Sequence, residues 1–309
     1  MTATGVAPGK VLLVGEHGVV HGGVAFALPF PAVEARAELR AEPGPLRLES
    51  PIWSGILDAD TPPPAAGLAA AALATFALLD RPATGWVAHL EASIPLGAGL
   101  GSSAATAAAL VRGILLAHGR VPGDEVDALV HLAEQAAHGT PSGVDGRVIT
   151  VGQPIAFRRG ETLDETQLVP TGAVFNLVVG YTGVTRRTQV AVARVTAFKD
   201  NEPVAAHAAM EAIKALAWEA IAAWRAGDAV AVGTCLDGAQ AQLERLGVST
   251  PELETLIRAA RDAGALGAKL TGAGMGGCML ALARDATHAD ELVRALAGAA
   301  TVWKQEYRP

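Results

Sequence analysis

The stretch from Ile94 to Ala109, IPLGAGLGSSAATAAA, constrains this chain more than any other. Pro95 is followed by Gly97, Ala98, Gly99, Leu100 and Gly101, then by Ser102, Ser103 and an unbroken helix-forming run. Residues without a β-carbon let backbone N–H groups approach an anion closely. The helix start behind them adds unpaired donors and the positive end of its dipole. The stretch is therefore a candidate phosphate cradle. A glycine-rich turn that only caps a helix with serine is the simpler reading, and the residues elsewhere in the chain must decide between them.

Two familiar phosphate loops can be tested against it. A Walker A loop requires G-x-x-x-x-G-K-[ST], and no lysine follows Gly101, so that reading is set aside. Gly99-Leu-Gly101-Ser-Ser-Ala104 does match the dinucleotide fingerprint G-x-G-x-x-A. It lies between a predicted strand, Trp86 to Ala92, and a predicted helix, Ser103 to His118, with Asp124 further on. A nicotinamide enzyme thus stays open as an alternative. Against it, the fingerprint ordinarily opens the first βα unit of a parallel sheet, whereas a motif-bearing segment precedes it here.

Half of the 309 residues are apolar, enough for two domains with cores that need no staples. Two cysteines, Cys235 and Cys278, are too few for a disulfide framework. No signal-peptide pattern and no apolar run of spanning length is present, so the expectation is a reduced, cytoplasmic protein away from the membrane. A net charge of −7 with few basic clusters argues against nucleic acid as the main partner.

Near the start, PGKVLLVGEHGVVHGG reads as a strand, Lys10 to Val14, followed by a tight turn holding Glu16, His17 and His21. The glycines around His17 and His21 exclude the helix that zinc ligation at this spacing needs. Lys10, flanked by Pro8-Gly9 and the GEH turn, fits a positioned cation better than a solvated strand edge. Charges alternate with apolar residues from Val33 to Leu48, as in half-exposed strands. Ala65 to Leu79 is a predicted helix, and Asp124 to His138 another, with Glu134 bordering its apolar stripe. The following His138-Gly-Thr-Pro-Ser-Gly-Val-Asp145 reads as a rigid turn that delivers a second acid ahead of a predicted strand, Val148 to Thr150. A domain boundary is expected near Pro170, dividing the chain into 1–170 and 171–309. Beyond it come a strand, Ala173 to Val179, then long helices over roughly 200–226 and 229–245, and a helix capped by Ser249-Thr-Pro-Glu252. A second glycine loop, Gly272-Ala-Gly274-Met-Gly276-Gly277, leads into a strand rather than a helix, so it reads as a hairpin turn. A helix near 288–298 and a strand, Thr301 to Gln305, complete an α+β order.

Three motifs in this order, PGKVLLVGEHGVVHGG, PLGAGLGSSAA and LTGAGMGGCML, resemble those of the GHMP kinases. Within that superfamily, GEH-x-VV-x-G and HG-x-PSG-x-D are most similar to the mevalonate kinases; galactokinases carry a GEHTDY-type stretch instead. The resemblance implies an α+β fold of two domains, the first of ribosomal-S5 type and the second ferredoxin-like, with ATP between them. It implies that Asp145 is the catalytic carboxylate with Lys10 as its cation, and that Ser103 and Glu134 hold Mg²⁺. Pro95 to Ser103 would bind ATP, Glu16 and His17 would line the mevalonate site, and Thr188 would sit behind Asp145. A homodimer is compatible with it. Three positions depart from the pattern: Gly146 where Asn is usual, Met275 where glycine is usual, and Tyr181 where many microbial members have an acid or amide. These leave phosphomevalonate-type and homoserine-type kinases, and a silent metabolite-binding homologue, as alternatives. The residues agree with the resemblance, because phosphoryl transfer needs a phosphate cradle, a metal site, a cation and a carboxylate.

Overall fold

The computed structural model describes residues 2–138, 141–160 and 165–309. In chain order the elements are β1 (Thr2–Val14), β2 (Val24–Pro45), β3 (Arg47–Glu49), β4 (Gly55–Ile56), α1 (Ala66–Leu78), β5 (Thr84–Ala92), α2 (Ser102–Ala117), α3 (Glu125–His138) and α4 (Val144–Val151). There follow β6 (Ile155–Arg158), β7 (Glu165–Leu168), β8 (Phe175–Tyr181), α5 (Thr188–Asn201), α6 (Pro203–Ala226), α7 (Ala229–Arg245), α8 (Pro251–Asp262), β9 (Gly267–Thr271), β10 (Cys278–Ala283), α9 (Ala286–Ala295) and β11 (Thr301–Tyr307).

These form two compact units interleaved in sequence: residues 1–10, 29–95 and 101–152 make the first, and 11–28, 96–100 and 153–309 the second. The segments 11–28, 96–100 and 153–170 thus group by contact with the chain beyond the boundary expected near Pro170.

In the first unit β5 pairs antiparallel with β2 and parallel with β3, and β3 pairs with β4. Along β2 the charged residues Glu34, Arg36 and Arg40 are exposed while Val33, Ala35, Ala37 and Leu39 are buried, as period-two alternation requires. Helices α1, α2 and α3 pack on one another. The alanine-rich face of α2 comes unusually close to β1: a β-carbon on Gly5 would lie 2.1 Å from Ala109 O and 2.3 Å from Gly113 N.

Residues Val148 to Thr150, expected as a strand, are helical and belong to α4. Gly143, at φ 84°, turns the chain into this helix, and Val144, Val148 and Ile149 fall on one buried face. That packing outweighs the β preference of a Val-Ile-Thr run. Asp145 sits in the helix's first turn, where a carboxylate meets the positive end of the dipole. Gly139 and Thr140 of the expected turn lie outside the described residues.

The second unit contains a four-stranded antiparallel sheet ordered β11-β8-β10-β9. With α5–α8 between β8 and β9, and α9 between β10 and β11, this is the βαββαβ arrangement of a ferredoxin-like domain. Val178, Ile213, Leu243, Ile257, Leu270 and Leu292 lie in its core. Trp224 is fully buried, stacked on Phe175 with centroids 4.0 Å apart and edge-on to Phe26 and Tyr307. Helix α5 was not expected from the sequence. Its buried stripe is short, Ala191 and Val195 with Phe198 partly buried, and the exposed Val190 and Val192 blur it in the sequence.

Candidate active site

In the first unit four groups foreseen from the sequence come together. Lys10, on β1, is 1% exposed, and its Nζ lies 2.9 Å from Asp145 Oδ1 in α4. A solvated strand edge is thereby excluded. Gly101 caps α2 at φ 78°. A β-carbon there would lie 2.8 Å from Lys10 Cγ and 3.0 Å from Ile149 Cδ1, so the loop's last glycine is required by backbone conformation and by space. No side chain caps α2 and no acid occupies its first turn, which leaves its N-terminal donors open to an anion. Ser102 is half-buried and Ser103 exposed in that turn.

Glu134, on α3, is buried, and its Oε2 has no hydrogen-bond partner. It faces the start of α4, where a β-carbon on Gly146 would be 2.9 Å from that oxygen. Burial, and secondarily the charge of Asp145, push its pKa up to about 8; Lys10 and the Gly146 N–H act in the opposite sense. An acid in such surroundings is neutral at pH 7 unless a cation joins it.

In the second unit, Glu16 accepts hydrogen bonds from Lys269 Nζ at 2.5 Å and from the Gly272 N–H at 3.3 Å, and both side chains of this ion pair are buried. Glu16 thus ties the GEH turn to the later glycine loop. His17, at φ 59°, places Nε2 3.0 Å from Ala273 O. Nε2 therefore carries the proton and Nδ1 is left as acceptor. Burial holds the imidazole below its usual pKa, keeping it neutral. Thr188 opens α5.

Gly97, Ala98 and Gly99 lie against the same glycine loop and against Arg186. The Arg186 N–H donates to Gly97 O at 2.8 Å. A β-carbon on Gly277 would be 2.8 Å from Ala98 O. On Gly99 or Gly272 it would be 3.2 or 2.7 Å from Arg186 Nη1. The Arg186 guanidinium makes no ion pair among the described residues, so a cation lies between two glycine loops with its charge available to an anion. Sequence reasoning passed over it. The signal was its place in Thr182-Gly-Val-Thr-Arg-Arg-Thr188, a turn leaving a fully buried strand.

The N-terminal domain model of the GHMP kinases matches residues 66–153 and their C-terminal model matches residues 210–300. Together the two models cover more than half of the chain. This chain belongs to the GHMP kinases. The mevalonate kinase of Aeropyrum pernix is 37% identical over 290 residues, spanning 90% of this GHMP kinase and 88% of that protein. That of Pyrococcus horikoshii is 34% identical, spanning 90% and 87%. Among solved structures, L. major mevalonate kinase in complex with R-mevalonate is 27% identical with a TM-score of 0.83, covering 100% of this chain and 97% of that one. Streptococcus pneumoniae phosphomevalonate kinase in complex with phosphomevalonate and AMPPNP, at 18% identity and TM-score 0.83 over 98% and 99%, shares the fold. The nicotinamide alternative ends here, because β5 runs antiparallel to β2 instead of opening a parallel dinucleotide-binding sheet. Among the described residues no helix is long and apolar enough to cross a membrane.

Proposed function

We propose that this GHMP kinase transfers the terminal phosphoryl group of ATP to the hydroxyl of mevalonate, giving 5-phosphomevalonate. The Lys10–Asp145 pair, whose buried lysine packs directly on the last glycine of the phosphate loop, carries the reading. Relatives matched over nine-tenths of the chain and described as mevalonate kinases support the acceptor.

The loop from Pro95 to Ser103 and the uncapped start of α2 bind the nucleotide phosphates through backbone donors. The acceptor oxygen bonds to the γ-phosphorus as the bond to the β–γ bridging oxygen breaks; ADP leaves with that electron pair, and Asp145 takes the hydroxyl proton. Lys10 places positive charge where negative charge develops. Arg186 offers a further cation for a phosphate or carboxylate, and His17 Nδ1 an acceptor for a substrate hydroxyl.

The donors present suit Mg²⁺. Glu134 holds a buried oxygen without a partner, and among the described residues no cluster of three or more His, Cys, Asp or Glu could hold a metal unaided. One carboxylate and the Ser103 hydroxyl, completed by nucleotide phosphates, is the kind of donor set Mg²⁺ accepts. When bound by Glu134 and Ser103, the ion would supply neutralisation of phosphate charge.

The test is ADP release from the purified protein with mevalonate, 5-phosphomevalonate, homoserine and galactose side by side. Mevalonate is expected to give the highest kcat/KM. A preference for 5-phosphomevalonate would retain the mechanism and overturn the acceptor, and tight NAD(H) binding without ATP binding would overturn both.

A further inference from the structure

The Lys10–Asp145 pair is made by two elements that need to be held in register, and neither residue can do this itself. Lys10 stands four residues beyond Val6 on β1; Asp145 stands at the start of the eight-residue α4, four residues before Ile149. An N–H···O bond weakens beyond ~3.2 Å. A shift of α4 by roughly half an ångström would therefore separate atoms now 2.9 Å apart.

One side chain reaches both elements. Arg112, on α2, donates from Nη1 to Val6 O at 2.8 Å, and from Nη2 to Ile149 O at 3.3 Å and Thr150 O at 3.2 Å. The latter two are carbonyls of the last turn of α4, which lack partners within the helix and carry the negative end of its dipole. Arg112 is planar and multidentate, so its fork fixes distance and orientation together. Its own base is rigid, because the adjacent Gly113 and the preceding turn of α2 touch Gly5 of β1 backbone to backbone. Towards α3 a separate clamp acts: Arg147 Nη1 lies 3.1 Å from Asp127 Oδ2, and Thr150 Oγ1 donates to Asp127 Oδ1 at 2.9 Å.

We infer that Arg112 is a positioning residue for phosphoryl transfer, setting the placement of Asp145 against Lys10 by tying the C-terminal end of α4 to β1. The inference rests on the reading of Asp145 and Lys10 given above. Arg112 acts through Asp145 and touches neither substrate. Its loss should lower kcat and leave the KM values for ATP and mevalonate nearly unchanged. A misplacement of ~1 Å can cost on the order of 10²-fold.

The experiment is a kinetic double-mutant cycle of Arg112→Met and Asp145→Asn, with thermal unfolding measured on every variant. Arg112→Met is expected to lose ~10- to 100-fold in kcat with both KM values within about threefold. In the Asp145→Asn background the same change should cost less than about threefold, because the group it positions is already disabled. Arg112→Lys, which keeps the charge but not the fork, should fall between parent and Arg112→Met, and it carries the test if Arg112→Met does not fold. Parental kcat in Arg112→Met, or an equal kcat loss in both backgrounds, overturns the inference while parental turnover stands. Absence of turnover in the parent overturns the functional reading and the inference with it.

Discussion

A β-carbon on Gly146 would lie 2.9 Å from Glu134 Oε2, so any side chain there requires the end of the buried carboxylate to shift. The backbone at Gly146 is helical and unstrained, and alanine there gains roughly 1 kcal/mol in helix propensity. The substitution therefore separates stability from function. Gly146→Ala should unfold within a few degrees of the parent and require several-fold more Mg²⁺ for half-maximal ADP release, as Glu134 is pushed aside. An unchanged Mg²⁺ requirement in a magnesium titration would remove Glu134 from the metal site.

The raised pKa of Glu134 gives a pH dependence with a definite sign. In the fold it is about 8, against an ordinary 4.5, because burial disfavours the charged form. The stability contributed by the protonated form is complete below about 4.5 and is lost as pH rises through about 8. Metal-free protein should therefore lose Tm between about pH 4.5 and 8 more steeply than Glu134→Gln. Mg²⁺ should bind more tightly as pH rises over the same interval, since it must displace a proton. Calorimetry in buffers of different ionisation enthalpy reads that proton directly, and binding with no proton released contradicts the assignment.

What could be read from the sequence was what leaves a mark on composition. Gly97, Gly99 and Gly101 are imposed by positive φ, and the alternation of β2 by one exposed face. What could not be read depends on partners far away in the chain. The β-branched residues of α4 look like a strand until Val144, Val148 and Ile149 are seen packed on one face. Arg112 is an ordinary helix residue until Val6 and Ile149 stand on either side of it. The pairing of Glu16 with Lys269 joins positions 253 apart in the chain. Met275 occupies the left-handed region at φ 58°, a conformation that favours glycine and that the sequence of its loop does not announce.

The Glu16–Lys269 pair leads to a prediction about stability. Lys269→Met would leave the Glu16 charge buried without its cation, at a cost of ~3–5 kcal/mol. The double variant Glu16→Gln/Lys269→Met should recover a good part of that loss, because no bare charge remains. Denaturant titration of the single and double variants measures it. If Lys269→Met alone were as stable as the parent, the pair would have no part in holding the GEH turn to Gly272.

Asp145→Asn tests the chemistry most directly. The substitution is nearly isosteric and Asp145 is 24% exposed, so the fold should survive the loss of its pairing with Lys10. Only charge and basicity are removed. A base of this kind contributes typically ~10²–10⁴-fold, and an electrostatic contact at the same place is of similar size. The variant should bind ATP and mevalonate nearly as the parent does and lose at least about a hundredfold in kcat. Lys10→Met should also lose kcat, with a larger share of the damage in KM if the ammonium touches ground-state phosphate. Steady-state kinetics with calorimetric binding on both variants makes the comparison, circular dichroism confirming that they are folded. Retention of more than about a tenth of parental kcat by Asp145→Asn is above what loss of such a group permits, and would move the catalytic carboxylate elsewhere.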